Sequence, residues 1–371
     1  MQCEGSLSWI VTMAEINGSP LATLPVVVLS GTASQRGQQH GRMFAGRISI
    51  LIAKMKESYS PAALNRAREN AYISWTNLRD RTPEVAEEIA GIASGANCDF
   101  IDIYCYIGFE FFDICPASGC SGLAITSTRG AVLGQNWDAA PEMHSDLAFF
   151  LHVGGKGLDL AVVASIGTLG WVGVNRSGVG LLTNDVMLDK STSGMPSQVV
   201  RRLLLAEGNV SSAVETLKQL PIMGGRSYLL GDCEGFITGV ELSPSAGVCE
   251  LPNASRIFHT NHALLAATRA FEDEGQLQGF YPSSHSRLVE LKRAGEDATG
   301  VGDLMRALAD RTNAPDAVSK TVSDRENTRT AFSIIIDCGQ RELYLCAGPP
   351  SEGRYQRFHL PDVVAESAEF S

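Results

Sequence analysis

One cysteine in the chain is placed for chemistry. Residues 117–138 read ASGCSGLAITSTRGAVLGQNWD, with Gly119-Cys120 at the start of a change in texture. Upstream the pattern is helix-rich; from Cys120 onward short apolar runs alternate with Gly-rich turns. A cysteine that opens the first strand of a β-rich body reads as a nucleophile that becomes a chain N-terminus. Its thiol would attack the Gly119 carbonyl, the peptide would shift to a thioester, and water would release a Cys120 α-amine beside its own thiol. Such an amine has a reference pKa of about 7.7–8 and serves as a general base near neutrality. Nucleophile and base then share one residue, so no separate histidine is required. Glycine at 119 suits a strained bond that a thiol must approach closely.

A second signal lies one strand later. Gly134-Gln135-Asn136-Trp137-Asp138 follows Cys120 at a fixed distance. Together the two motifs resemble the start of the mature β-chain in the isopenicillin-N acyltransferase-like family of N-terminal-nucleophile hydrolases. His259-Thr260-Asn261-His262 matches a further motif of that family. Two leader stretches are similar to it as well: Gly37-Gln38-Gln39-His40-Gly41, and PEVAEEIAGIASGAN at 83–97.

The resemblance implies self-cleavage between Gly119 and Cys120, giving an α-chain of residues 1–119 and a β-chain of residues 120–371 that stay together as one structural domain. It implies acyl transfer through a thioester at Cys120, to water or to an amine. The carboxylate of Asp138 would hold the α-ammonium or the thiol and tune its pKa. The Asn261 amide would donate to the oxyanion. Asn184 would supply a second oxyanion contact, with Asp185 as a competing polar residue, and Ser227 would line the site. An arginine is expected shortly before the last hairpin; Arg329 is preferred, being at a strand start, and Arg325 stays open. His40 reads either as a site residue or as a helix residue packed on a strand.

Composition bounds the rest. The 371 residues are 44% hydrophobic, enough for a large core, and carry a net charge of −11. An acidic chain is not drawn to nucleic acid or anionic membrane surfaces. Nine cysteines at irregular spacing, without a C-x-x-C, suggest neither a zinc site nor a disulfide framework. His259 and His262 lack a carboxylate at ligand spacing, so no metal is expected. No organic cofactor is expected either, although a coenzyme A thioester remains open as acyl donor. No signal segment or membrane span is apparent, and a cytoplasmic setting is expected.

The elements that must position these residues follow from periodicity. Apolar spacing predicts one helix over 34–59, others from Pro61 to 80 and from Pro83, and an aromatic-rich helix over 100–114. That last stripe reads as core and as a wall for an acyl pocket. Strands are expected at 24–30, 121–127, 131–137, 147–153 and 158–166. Two helices follow at 197–207 and 211–219, the second capped by Ser211, and further strands are interrupted by helices at 284–293 and 301–310. The last hairpin spans 331–337 and 342–347. Composition and order alone give an α+β chain. The resemblance specifies a four-layer α-β-β-α sandwich with antiparallel sheets.

The function expected is that of an amidohydrolase or acyltransferase for a small N-acyl amide. Acyl-coenzyme A-dependent penicillin side-chain exchange is the named alternative. A papain-like thiol enzyme is disfavoured because Cys120 precedes a strand. A non-catalytic binding protein on the same scaffold would show no cleavage. The expected partners are a small amide or acyl donor, and the α/β heterodimer itself, with a higher homo-oligomer left open.

Overall fold

Local chemistry accounts for the helices ahead of Cys120 in the computed structural model, which describes residues 23–112, 119–154 and 159–360. After strand β1 (Val26–Ser30), helix α1 (Ala33–Met43) starts from a capping box in which Thr32 and Gln35 satisfy each other's backbone N–H. The single helix expected over 34–59 breaks at Phe44, which is not helical, and α2 (Ala45–Ser58) resumes beyond it. Proline at the first position and a Ser60 cap begin α3 (Pro61–Arg81). Helix α4 (Pro83–Ala96) ends on Asn97 in the left-handed region. Asp99 caps α5 (Phe100–Ile107), and a 3-10 turn at Phe109–Phe111 follows. The aromatic helix is therefore shorter than expected, and residues 113 and 114 lie outside the described residues.

The two leader motifs meet each other. A Cβ on Gly37 would sit 2.1 Å from the Glu88 carbonyl oxygen, and one on Gly41 2.3 Å from that of Ile92. Reciprocally, a Cβ on Gly91 would meet Ser34 O at 2.5 Å and one on Gly95 would meet Gln38 O at 2.4 Å. Two Gly-x-x-x-Gly faces thus let α1 and α4 touch backbone to backbone.

The body adds β2 (Gly119–Ser127), β3 (Gly130–Ala139), β4 (Leu147–Val153), β5 (Leu160–Ser165), β6 (Val172–Asn175) and β7 (Gly180–Lys190). Helices α6 (Ser197–Leu204) and α7 (Val210–Lys218) follow; Asn209, not Ser211, caps the latter. Next come β8 (Gly224–Gly231), β9 (Ile237–Ser243), β10 (Gly247–Glu250) and β11 (Arg256–His259). Helices α8 (Ala266–Arg269), α9 (Glu274–Phe280), α10 (Ser284–Gly295) and α11 (Val301–Leu308) precede β12 (Arg329–Asp337), β13 (Glu342–Ala347) and β14 (Gln356–His359).

The strands form an eight-stranded sheet, β1-β4-β5-β6-β7-β8-β9-β10, and a six-stranded sheet, β11-β2-β3-β12-β13-β14. Pairing is antiparallel with one departure from expectation: β1 runs parallel to β4. The leader itself supplies β1, so its return through five helices makes the long connection that a parallel pair needs.

Side-chain alternation builds the layers. In β4, Leu147 and Phe149 face the other sheet, while Ala148 and Phe150 face the helices of the leader and α6 and α7. In β12, Phe332, Ile334 and Ile336 fill the space between the sheets, and Ile335 packs under α10 and α11. The result is helices, sheet, sheet, helices, as expected. A buried ion pair from Glu88 of α4 to Arg202 of α6 ties the leader to the body.

Candidate active site

Pleating puts the two halves of the Gly119-Cys120 pair in different surroundings. In the β2–β3 register Cys120 lies opposite Trp137, and Gly119 opposite Asp138. Paired residues share a face and successive ones alternate. The Cys120 side chain therefore belongs with Trp137 on the inter-sheet face, while Asp138 faces the α10 side.

The backbone of Cys120 is held at both its N–H and its carbonyl. The Cys120 N–H donates to Asn261 Oδ1 at 3.0 Å. The Cys120 carbonyl accepts from Arg287 Nη1 at 2.7 Å, and the same nitrogen donates to Ser121 Oγ at 2.9 Å. Arg287 Nη2 donates to Asn261 Oδ1 at 2.7 Å, and its Nε to Ser283 Oγ at 2.9 Å. Two donors on Asn261 Oδ1 fix the orientation of that amide, whose Nδ2 donates to the Asp185 carbonyl at 2.9 Å. Asn261 thus positions the nitrogen of Cys120, and one of its two amide hydrogens is spent on Asp185.

Asp138 is fully buried and stands against Gly119. A Cβ on Gly119 would lie 3.3 Å from Asp138 Oδ2, a tight approach to that carboxylate. Thr330 Oγ1 donates to Asp138 Oδ1 at 2.7 Å, while Oδ2 has no partner among the described residues. Burial raises the Asp138 carboxyl above its usual range, opposed by the charges of Arg287 and Lys320. Lys320 is itself buried and bonded to Glu326, which also accepts the Ser283 N–H at 2.8 Å.

Burial also pushes the Cys120 thiol well up, aided by the charges of Asp138 and Asp185; Arg287 and a backbone hydrogen bond from Asp185 oppose the shift. The uncut thiol is held protonated. It opens on a narrow cavity lined by Phe109, Trp137, Trp171, Thr183, Asp185, Arg201 and Arg226. The Trp137 and Trp171 rings stack at 5.4 Å, and Phe109 tilts against Trp171 at 6.0 Å. One residue of the aromatic stripe is therefore a pocket wall, and Tyr104, Phe111 and Phe112 are core.

Thr183 and Asp185 of β7 line the cavity, while Asn184 between them takes the face toward β2, the face that Leu182 shares with Cys120. Its Nδ2 donates to the His259 carbonyl at 3.3 Å, and its Oδ1 lies 3.3 Å from where a Gly122 Cβ would be. Ser227 is buried opposite Asn184 in the register, with no partner for its hydroxyl among the described residues. Arg329 does not reach Cys120: Thr330 takes the Asp138 face, and Arg329 Nη2 lies 3.4 Å from the Cβ position of Gly348. The Arg325 side chain is 63% exposed and pairs with Asp316 at 3.5 Å. The arginine that reaches Cys120 is Arg287, on α10. Its signal in the sequence was an arginine inside the buried stripe Ser284, Arg287, Leu288 and Leu291. His40 is a packing residue: its Nε2 accepts the Gly167 N–H at 2.9 Å and its ring lies 4.4 Å from Phe150.

The loop carrying Asn261 is anchored from below. His259 Nε2 meets Glu241 Oε1 at 2.9 Å, and Glu241 also accepts from Leu264 N–H and Thr268 Oγ1. Burial would raise the Glu241 carboxyl, but His259 and these donors outweigh it and hold it below its ordinary value. Ser284 Oγ accepts the Asn261 N–H at 2.9 Å and bonds His262 Nδ1 at 2.8 Å. The His-Thr-Asn-His motif therefore serves to aim Asn261.

The model of the acyl-coenzyme A:6-aminopenicillanic acid acyl-transferase family matches residues 126–352. The chain belongs to that family. The match begins just beyond Cys120 and takes in Asp138, Asn261 and Arg287. A full-length relative is the acyl-coenzyme A:6-aminopenicillanic-acid-acyltransferase 40 kDa form of Emericella nidulans, 26% identical over 341 residues, covering 88% of this chain and 93% of the relative. The beta-alanyl-dopamine/carcinine hydrolase of Drosophila melanogaster is 22% identical over 280 residues, covering 64% of this chain and 72% of its own. Among solved structures, a variant of conjugated bile acid hydrolase from Clostridium perfringens aligns with a TM-score of 0.41 and 12% identity, over 66% of this chain and 98% of that one. Penicillin V acylase from Agrobacterium tumefaciens aligns with a TM-score of 0.36 and 12% identity, over 62% and 82%. Membership in this acyltransferase family makes the chain an enzyme of acyl transfer.

Proposed function

We propose that the chain cuts itself between Gly119 and Cys120 and then works as a cysteine amidohydrolase or acyltransferase on small N-acyl amides. The supporting observation is the grip on the Cys120 backbone, with its N–H on Asn261 and its own carbonyl on Arg287, together with the raised Asp138 carboxyl against Gly119. In the first step the Cys120 sulfur bonds the Gly119 carbonyl carbon, the Gly119–Cys120 amide bond breaks, and the thiol proton ends on the leaving nitrogen. Asp138, whose buried carboxyl favours the protonated form, stands ready to relay that proton. Water then hydrolyses the thioester, giving a Gly119 carboxylate and restoring the thiol.

In turnover the α-amine of Cys120 takes the thiol proton, the sulfur attacks the substrate carbonyl, and an amine leaves. Water or a second amine then receives the acyl group from Cys120. The names of the two curated relatives support amide chemistry on small molecules, one by transfer from acyl-coenzyme A and one by hydrolysis. The proposed chemistry draws on the chain's own sulfur and nitrogen, and a coenzyme A thioester would enter only as acyl donor. The seven described cysteines are free thiols, which supports a reducing cytoplasmic setting. No described helix is long and apolar enough to cross a membrane.

Denaturing electrophoresis tests the first step. Wild type should run as two fragments, and Cys120→Ala as one uncut band without turnover. Intact mass after exposure to an N-acyl amide should place the acyl group on the fragment that begins with Cys120. An uncut wild-type chain, or turnover surviving in Cys120→Ala, would sink the proposal.

A further inference from the structure

A cleft between the leader and α6 buries two guanidiniums on one carboxylate. It is a cavity of about 60 Å³, lined by Arg36 of α1, by Glu84 and Glu88 of α4, and by Arg202 of α6. Arg36 and Arg202 are 3% and 6% exposed. Arginine cannot shed its charge on burial, so each must find negative charge or acceptors. Arg202 meets both oxygens of Glu88 through Nη2, and its Nη1 has no hydrogen-bond partner among the described residues. Arg36 donates to the Gly31 carbonyl at 2.6 Å from Nη1. Its Nε has no partner, and no carboxylate forms an ion pair with it, among the described residues. Glu88 attracts Arg36 from beyond that range, and one carboxylate cannot neutralise both arginines.

The backbone adds to the same field. Helix α4 starts without a side-chain cap, since Thr82 makes no hydrogen bond to its first turn. Thr82, Glu84 and Val85 line the cleft, so the positive end of the α4 dipole lies beside the two guanidiniums. Other negative charge nearby is engaged or at the rim. Asp159 pairs with Arg176 at 3.6 Å, and Glu84 is exposed. His152, 3.9 Å from Glu88, is held well below its ordinary pKa by burial, with Arg202 and Arg36 acting in the same sense, and stays neutral. The interior of the cleft therefore carries two cations against one anion.

We propose that this cleft binds one small monovalent anion, of the size of chloride or nitrate, between Arg36, Arg202 and the start of α4. The cavity exceeds the roughly 10–15 Å³ that a single water needs, yet it is too small for an organic cofactor. A divalent anion is disfavoured, because Glu84 and Glu88 bring their own charges to the same walls. Helices α1 and α4 belong to the leader and α6 to the body, so the ion joins the two pieces on either side of Gly119-Cys120. The assignment does not depend on the reading of Cys120.

Chloride magnetic resonance on the full-length protein tests the site directly. The chloride line should broaden in the presence of the protein, and added bromide should narrow it again by competition. Arg36→Met should weaken chloride binding about tenfold or more, the loss of a charge-assisted contact. Glu84→Gln removes a repelling charge from the exposed rim and should tighten binding about two- to fivefold. An ion held only by the folded state stabilises it. The urea midpoint should therefore be higher in sodium chloride than in sodium gluconate of equal ionic strength, whose anion is too large to enter. That gap should close in Arg36→Met. If Arg36→Met does not fold, the wild type and Glu84→Gln decide. Equal midpoints in the two salts, broadening that bromide does not relieve, or binding unchanged by either substitution would each overturn the assignment. Such a failure leaves the reading of Cys120 untouched, since chloride binding is measured whether or not the chain is cut.

Discussion

Arg287 and Arg329 are both arginines of the second half of the chain, yet only Arg287 touches Cys120. Arg287 spreads its donors over Cys120 O, Ser121 Oγ, Asn261 Oδ1 and Ser283 Oγ. Replacement by lysine keeps a charge but cannot serve these partners at once. Arg287→Lys is expected to slow self-cleavage by about 10–100-fold, the loss of one or two charge-assisted hydrogen bonds. Arg329→Met should leave the rate within about twofold. A time course of band conversion measures both, and equal slowing by the two changes would restore Arg329 to the site. Asn261 can be read at the same scale. Its Oδ1 holds the nitrogen that the proposed cut would turn into an α-amine, so Asn261→Asp, which keeps an oxygen but forfeits the bond from Nδ2 to Asp185, separates holding that nitrogen from orienting the loop.

At the scale of elements, the contact between α1 and α4 depends on hydrogen atoms where other residues carry a Cβ. Gly37→Ala would place a carbon 2.1 Å from the Glu88 carbonyl oxygen, so the helices must part. The expected cost is about 1–3 kcal/mol, the usual range for overpacking, read as a lower urea midpoint. Gly46→Ala in α2 meets nothing within 4 Å and should be neutral or stabilising by up to about 1 kcal/mol. The same helix pair contains a pH-sensitive element. His40 is held at a pKa of about 3 by burial, with the Arg202 charge acting in the same sense, and its Nε2 must be unprotonated to accept the Gly167 N–H. The unfolded chain takes up this proton near pH 6.5, and the folded chain does so only near 3. Stability contributed by neutral His40 is therefore present above pH 6.5 and is lost as pH falls through the window between, at about 1.4 kcal/mol per pH unit. His40→Gln keeps an acceptor without a proton to gain, so its stability should fall less steeply from pH 6 to 4. An unchanged slope would remove His40 from the account.

On the scale of the whole molecule, the cut proposed at Gly119 would leave two chains that cannot easily part. The leader contributes β1 as an edge strand of the eight-stranded sheet, and its helices share one apolar core with α6, α7 and that sheet. Glu88 and Arg202 add an ion pair between the two pieces, both side chains about 5% exposed. The fragments should therefore co-elute from a sizing column at the mass of the uncut chain and separate only in denaturant. Glu88→Ala strands a buried arginine and is expected to cost about 3–5 kcal/mol, seen as fragments that separate at lower denaturant. Free exchange of the leader in native buffer would contradict this picture.

Much of this molecule is written locally. The strand opening at Cys120, the pentapeptide ending on Asp138 and the Asn261 loop were legible, because alternation, turns and caps act over a few residues; the order of layers came from the family resemblance. The Gly-x-x-x-Gly pairs were visible too, but as motifs without a partner; only packing revealed that α1 and α4 complete each other, and that His40 belongs to that packing rather than to the thiol. Which arginine serves Cys120 was decided by tertiary structure, because α10 crosses behind β2 from 167 residues away along the chain. The faces of Asn184 and Asp185 were likewise settled there, since a strand places neighbours on opposite sides and only the sheet packing tells which side turns toward β2.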